Sequence, residues 1–142
     1  MTSSKIKSLQ TIHLAVAGSL LFFGAVVYYL LNYDGGAITD LSPDIFRRIV
    51  PITIILGMTA AYYFKKTMLR TALAQKNDES KWAAYQKAFM VELACLEIPG
   101  LVSIVAALLT GETNFLLIGI ALIAVILFRR PTERKVRLEL GV

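Results

Sequence analysis

Four long blocks of apolar residues constrain the fold more than any other feature of this sequence. The first block, residues 12–31, contains no Asp, Glu, Lys or Arg across 20 residues. About 20 apolar residues in a helix cross the hydrocarbon core of a bilayer. The chain is 56% hydrophobic and 18% charged, whereas soluble domains are about 45–50% apolar and about 25% charged. The sequence therefore predicts an integral membrane protein. A disulfide scaffold is excluded because Cys95 is the only cysteine.

The blocks predict four transmembrane helices in a single membrane domain, residues 1–142. The predicted segments are spans at 12–31, 43–64, 88–110 and 115–128, a cytoplasmic connector at 65–87 and a cytoplasmic tail at 129–142. The second span is expected to begin before its apolar block. Ser42 is a good N-cap, Pro43 suits the first helical position, and Asp44 favours the positive end of the helix dipole.

The segments between the spans also carry local signals. Asp34-Gly35-Gly36 predicts a turn after the first span. The central connector is expected to form two helical extensions with a turn at residues 77–80, where Asp78 or Ser80 starts the next helix. The last connector, residues 111–114, is short enough to force the third and fourth spans into an antiparallel hairpin.

Positive charge is concentrated on one side of the predicted bundle. The N-terminus, the central connector and the tail hold 13 of the 15 Lys and Arg residues. The positive-inside rule then places both termini in the cytoplasm. This topology explains the net charge of +5, so no nucleic-acid partner is predicted. Arg47 and Arg48 lie on the other side, where we expect them to bind lipid headgroups or the neighbouring acidic residues.

Small residues predict the faces along which the spans pack. In lipid, helices associate through small residues that permit close approach of their backbones. The first span offers Ala15 and Ser19 for this role. The second and third spans offer a longer series of small residues on one side of each helix. The candidate packing residues there are Thr53, Gly57, Ala61, Ser103 and Ala106.

Two glutamates within the third span are the main candidates for chemistry, because acidic side chains at membrane depth are costly and mark functional sites. At 1.5 Å per residue, Glu92 lies about 6 Å into the span and Glu97 roughly 13–14 Å, close to the midplane. Pro99 has no N–H, so the Cys95 carbonyl loses its helical partner and a kink is expected. A carboxyl group beside a freed carbonyl is a pattern typical of ion coordination or proton relay.

Other interpretations of these residues are also open. A protonated Glu97 can donate to the carbonyl of Leu93 and stay inert, or Glu97 can pair with a residue on another subunit. His13 lies at a depth near that of Glu92, so the two can be in contact, or His13 can lie among lipid headgroups. One His and one Cys build neither a haem pair nor a zinc site. No catalytic residue, metal or cofactor is predicted.

The third span resembles two kinds of membrane protein. The stretch Glu97-Ile98-Pro99-Gly100-Leu101-Val102 resembles the carboxylate helix of rotary-ATPase proteolipid subunits, which implies a carboxylate that carries protons or sodium. We attribute this likeness to convergence, because the family's glycine repeat is absent. The segment from Glu97 to Thr132, with Leu108-Leu109-Thr110-Gly111 and Phe128-Arg129-Arg130-Pro131-Thr132, is similar to small four-span bacterial membrane proteins of unknown function. That resemblance implies a bacterial inner-membrane protein and no particular activity.

The sequence thus predicts an all-α integral membrane bundle of four transmembrane helices, with both termini inside. The expected function is that of a non-enzymatic accessory or assembly subunit of a larger membrane complex. The alternative is a small ion- or proton-coupled carrier that acts as a homo-oligomer, with Glu97 as its carboxylate. The expected partners are the lipid bilayer and either other membrane subunits or further copies of the chain.

Overall fold

The computed structural model describes residues 3–33, 38–39 and 41–141, and the predicted turn at residues 34–36 lies outside them. The described residues form an all-α fold, as the sequence predicts. Its five helices are α1 (Ser3–Tyr33), α2 (Pro43–Leu73), α3 (Asp78–Thr110), α4 (Thr113–Phe128) and α5 (Glu133–Leu140).

The helix starts follow local capping chemistry. The Ser42 hydroxyl accepts a hydrogen bond from the Asp44 N–H, and α2 begins at Pro43 as predicted. The cap of α3 is Asn77, whose side chain accepts from the Glu79 N–H. Helix α3 begins at Asp78, one of the two predicted starts, and Asn77 caps it because an asparagine oxygen satisfies a first-turn N–H directly. The connector is two helical extensions joined by residues 74–77.

Helix α3 lies at the centre of the bundle and contacts α1, α2 and α4. Helix α4 also packs against α1, while α2 reaches only α3 and the short α5 in substantial contact. The contacts between side chains define the directions. Leu20 and Gly24 of α1 lie beside Gly100 and Ile104 of α3, in the same order along both helices, so these two helices run parallel. Helices α2 and α4 run antiparallel to α3, because Gly57 and Lys65 of α2 lie beside Pro99 and Glu92, and Gly119 and Arg129 lie beside Ile104 and Glu92. Both ends of the described chain therefore lie at the same end of the bundle.

Three helices, α1, α2 and α3, are long and apolar enough to cross a membrane. A fourth crossing results if α4 and α5, which meet at 71°, count as one bent span. Helix α4 alone has 16 residues, a length of about 24 Å. It is therefore shorter than a typical hydrocarbon core.

The packed face of α1 differs from the predicted one. Ala15 and Ser19 are exposed. The buried side of α1 instead presents larger side chains around a glycine, because Gly24 lets α1 approach Ile104 of α3 and Leu116 of α4. The residues buried on this side include Ala17, Leu20, Gly24 and Val27.

Two glycines allow α3 to approach its neighbours closely. A Cβ atom on Gly57 of α2 would lie 2.5 Å from Cγ of Pro99 and 2.6 Å from the carbonyl oxygen of Cys95. A Cβ atom on Gly119 of α4 would lie 2.9 Å from Cγ1 of Ile104. Side chains at these two positions would force the helices apart.

Candidate functional site

The main polar feature of the interior is a cluster of ionic side chains around Glu92. The Glu92 side chain is 2% exposed, and two cations flank it. Arg129 Nη1 donates a hydrogen bond to Oε1 at 2.8 Å. Lys65 Nζ lies 2.9 Å from Oε2 and forms an ion pair without hydrogen-bond alignment. A buried carboxylate needs such partners, because burial of an unpaired charge is very costly.

The cluster continues onto α5. Lys65 Nζ also lies 3.1 Å from Oε1 of Glu139, and the Tyr85 hydroxyl donates a hydrogen bond to Oε2 of Glu139 at 2.8 Å. Two cations and two carboxylates therefore neutralise one another. We call Lys65, Tyr85, Glu92, Arg129 and Glu139 the ionic cluster. It links α2, α3, α5 and the residue that follows α4.

The chain places these side chains together through the ends of its helices. Lys65 lies beyond the apolar block of α2, Arg129 follows the last residue of α4, and Glu92 lies in α3 after its first polar turns. Because α2 and α4 run antiparallel to α3, all three residues reach the same level of the bundle. The 71° bend between α4 and α5 brings Glu139 back over them. Val136 and Leu140, both buried, anchor α5 there.

His13 closes the end of α4 and does not form a hydrogen bond with Glu92. Its Nε2 donates to the carbonyl oxygen of Ile126 at 2.7 Å, and its ring lies 6.2 Å from that of Phe89. Gln10 donates in the same way to the carbonyl of Pro131 at 2.9 Å. The last carbonyls of a helix lack intrahelical donors, so α1 supplies donors where α4 ends. His13 is buried and is not placed among headgroups.

Glu97 lies on the outside of α3. It is partly exposed, and among the described residues it takes part in none of the ion pairs. Met90 and Leu101, which flank it on the same side, are 44% and 38% exposed. The two glutamates of α3 therefore have different surroundings, one enclosed by cations of its own chain and the other turned outward.

Pro99 faces α2 and lies apart from Glu97. Helix α3 continues through Pro99 as one helix. Gly57 covers both the proline ring and the Cys95 carbonyl that the proline leaves without a donor. At 100° per residue, Glu97 lies about 160° around the helix from Cys95 and Pro99. The structure thus does not bring the Glu97 carboxyl and the freed carbonyl together on one side of α3.

The predicted packing residues occupy the inner sides of α2 and α3. Ala61, Ser103 and Ala106 are buried, and the Ser103 hydroxyl donates to the Pro99 carbonyl at 2.8 Å. Thr53 is partly buried and bonds to the Val50 carbonyl. Beside them, an apolar groove of about 260 Å³ runs between α2 and α3. It is lined by Thr53, Leu56, Gly57, Ala60, Cys95 and Ile98.

At the opposite end of the bundle, Arg47 contacts acidic residues. Its Nη2 lies 2.6 Å from Oε1 of Glu112, and its Nη1 lies 3.3 Å from Oδ1 of Asp44. These pairs tie the start of α2 to the turn before α4. Arg48 is exposed.

Sequence reasoning placed Lys65 and Arg129 outside the spans and did not connect them, Glu139 or Tyr85 with Glu92. The signal in the sequence that could have connected them was the depth of each residue relative to the end of its predicted span. Lys65 and Arg129 each follow directly on the last residue of a predicted span, and Glu92 is about one turn inside its own span at the same end. Long basic side chains at span ends reach past their backbone positions. Matching depths would have predicted the pairing.

Within residues 3–33, 38–39 and 41–141, no group of three or more His, Cys, Asp or Glu side chains is placed to hold a metal ion. No protein-family model, no curated protein and no solved structure matches the chain.

Proposed function

We propose that the protein is a four-span integral protein of the bacterial inner membrane, with both termini in the cytoplasm. Three helices of 30 to 33 residues with high mean hydropathy support three of the spans. Helix α4 supports the fourth, since a short span is accommodated by local thinning of the bilayer or by flanking residues that reach the interface. Arg129 and Arg130 directly follow α4 and suit that role.

The distribution of charge supports this orientation. The end of the bundle that holds both ends of the described chain also holds α5 and the turn at residues 74–77. Most of the basic residues belong to that end, and cytoplasmic segments carry such an excess. The opposite end has Arg47 next to Asp44 and Glu112, which leaves less net positive charge there.

Within the membrane, we propose a non-enzymatic role as an accessory or assembly subunit of a larger complex. The observation that carries this proposal is the apolar groove between α2 and α3. Helix α2 has substantial contact only with α3 and α5, so one side of the groove is open. Gly57, Ala60 and Thr53 in its wall are the small residues along which transmembrane helices approach closely. The groove therefore suits a helix of another subunit.

The test is the composition of the intact particle. The tagged, full-length protein is extracted from native membranes in mild detergent, and the mass and protein content of the particle are measured. We expect a stoichiometric second protein. We expect Ala60→Leu, which fills the groove, to lose it, and Ala121→Leu, at an exposed position of α4, to retain it. A particle made only of copies of this chain would contradict the proposal.

A second proposal is a small ion- or proton-coupled carrier, and the outward position of Glu97 favours it. An acidic side chain at membrane depth is a common feature of ion and proton pathways. In sealed proteoliposomes with an internal pH dye, a carrier would show proton flux that Glu97→Gln abolishes. Glu112→Gln, at the end of the bundle, would leave the flux unchanged. Equal flux in the wild type and in Glu97→Gln would exclude this role for Glu97.

A further inference from the structure

The two glutamates within the apolar segment of α3 have different surroundings. Glu92 is enclosed, and its two oxygens meet Lys65 Nζ at 2.9 Å and Arg129 Nη1 at 2.8 Å. Glu97, five residues further on, is partly exposed, and no cation of the described chain reaches it. The chain thus supplies the counter-charges for one carboxylate and not for the other.

Glu97 lies within a continuous outward surface of α3. We call Met90, Ala94, Glu97, Leu101 and Val105 the Glu97 face. At 100° per residue they fall within about 80° of one another, and the four apolar members are exposed. Spacings of three and four residues, here four, three, four and four, are those by which one helix packs against another. Ala94, one turn from Glu97, permits close approach of a second helix.

The depth of Glu97 determines which chemistry can satisfy it. It lies roughly 13–14 Å from the start of the apolar segment at Ala88, too deep for its short side chain to reach the interface. An acidic group at this depth usually faces protein or water and pairs with another group. The Lys and Arg residues of the described helices lie towards their ends, and Lys65 and Arg129 are held by Glu92 and Glu139. Among the described residues no cation is placed to pair with Glu97, so a counter-charge for an ionised Glu97 would be supplied by another molecule.

We propose that the Glu97 face docks a transmembrane helix of a different protein, and that this helix presents a Lys or Arg to Glu97 near the bilayer midplane. The inference rests on the proposed function as a subunit and names the surface and the chemistry of the partner. Charge complementarity favours a different protein over a second copy, because a second copy brings another carboxyl group to this depth and no cation. Ile98 lines the neighbouring groove, so the face is continuous with it.

Site-specific photo-cross-linking of the full-length chain in native membranes tests the proposal. Benzoylphenylalanine replaces Leu101 on the Glu97 face or, as control, Ile120 on the exposed side of α4, which is 53% exposed. We expect an adduct only from position 101. Its second peptide should come from an apolar segment of about 20 residues with Lys or Arg near its middle.

Charge variants separate pairing from simple proximity. Glu97→Gln should lower the yield of the adduct about 10-fold, equivalent to about 1.4 kcal/mol of association free energy. Glu97→Asp, which keeps the charge on a shorter side chain, should lower it less. Glu112→Gln at the end of the bundle should leave it unchanged. Substitution of the partner's basic residue by Glu, combined with Glu97→Lys, should restore the yield.

Three outcomes would overturn the proposal. One is an adduct of twice the 15.7 kDa mass of the chain that contains this chain alone, which would indicate a second copy. The others are cross-links to lipid only, and a partner segment without a basic residue. If a second protein is present in the native particle but cross-links elsewhere, only this inference fails. If the particle contains no second protein, the proposed subunit function fails as well.

Discussion

At the scale of single residues, the surroundings of a charged group decide its effect on stability. Glu92 contributes to the fold because Lys65 and Arg129 come from two other parts of the chain and meet it in the interior. A buried ion pair adds little over an apolar core of the same shape, but removal of one partner leaves an uncompensated charge. The ionic cluster therefore makes the end of the bundle sensitive to substitution at Glu92.

We expect Glu92→Gln to lower the free energy of unfolding by about 2–3 kcal/mol, less than the ~3–5 kcal/mol for a fully enclosed pair. The cost is smaller than for an enclosed pair because Arg129 is 42% exposed and can turn to water. Lys65 also keeps its ion pair with Glu139. The free energy of unfolding is measured in detergent, and the reaction of a thiol-specific dye with Cys95, the only thiol, monitors unfolding.

Glu79→Gln is the matched control on the same helix. Its side chain is 83% exposed and lies 4.0 Å from Lys5, so we expect a change below about 0.5 kcal/mol. Equal losses from the two substitutions would show that the ionic cluster is not selectively stabilising.

At the scale of helices, α2 and α3 pack closely where a glycine of α2 faces a proline of α3. Gly57 lies against the Pro99 ring and the Cys95 carbonyl. The proline removes a donor from α3, and the absence of a side chain at Gly57 lets α2 cover the carbonyl that is left. Glycine and proline, which both weaken isolated helices, together allow a close approach of α2 to α3 here.

We expect Gly57→Ala to destabilise the fold by about 1–3 kcal/mol, the usual cost of overpacking. The added methyl group would overlap a proline ring and a backbone carbonyl, and neither can rotate away. Chemical denaturation followed by circular dichroism measures the effect. Gly18→Ala is the control, since nothing lies within 4 Å of its Cβ position. A neutral Gly57→Ala variant would contradict the close approach of α2 and α3.

At the scale of the whole molecule, the direction of each helix places both ends of the described chain together. The ionic cluster, α5 and the turn at residues 74–77 share that end, and the α3–α4 turn lies at the other. Because cytoplasmic segments carry more Lys and Arg, charge and helix direction favour the same orientation in a membrane.

Cysteine labelling in spheroplasts tests this orientation. In a Cys95→Ser background, we expect an impermeant maleimide to label Asn114→Cys in intact spheroplasts. Lys76→Cys and Gly141→Cys, which are exposed at the other end, should react only after permeabilisation. The opposite labelling pattern would reverse the proposed topology, and labelling of all three sites in intact spheroplasts would argue against four spans.

The amino-acid sequence by itself determined the all-α class, the start of α2 at Ser42 and Pro43, and the two helical extensions of the central connector. These features depend on apolar length and on neighbouring residues, which a sequence displays directly. It also identified Glu92 and Glu97 as unusual, because charge within an apolar block is visible in one dimension.

Only the tertiary structure decided what surrounds those two glutamates. The cations of Glu92 lie 27 and 37 positions away along the chain, and they meet it because antiparallel helices return to the same depth. The packed side of α1 and the role of His13 at the end of α4 likewise depend on which helix lies beside which. Small residues and charges are compatible with several neighbours, and the relative rotation of the helices selects one.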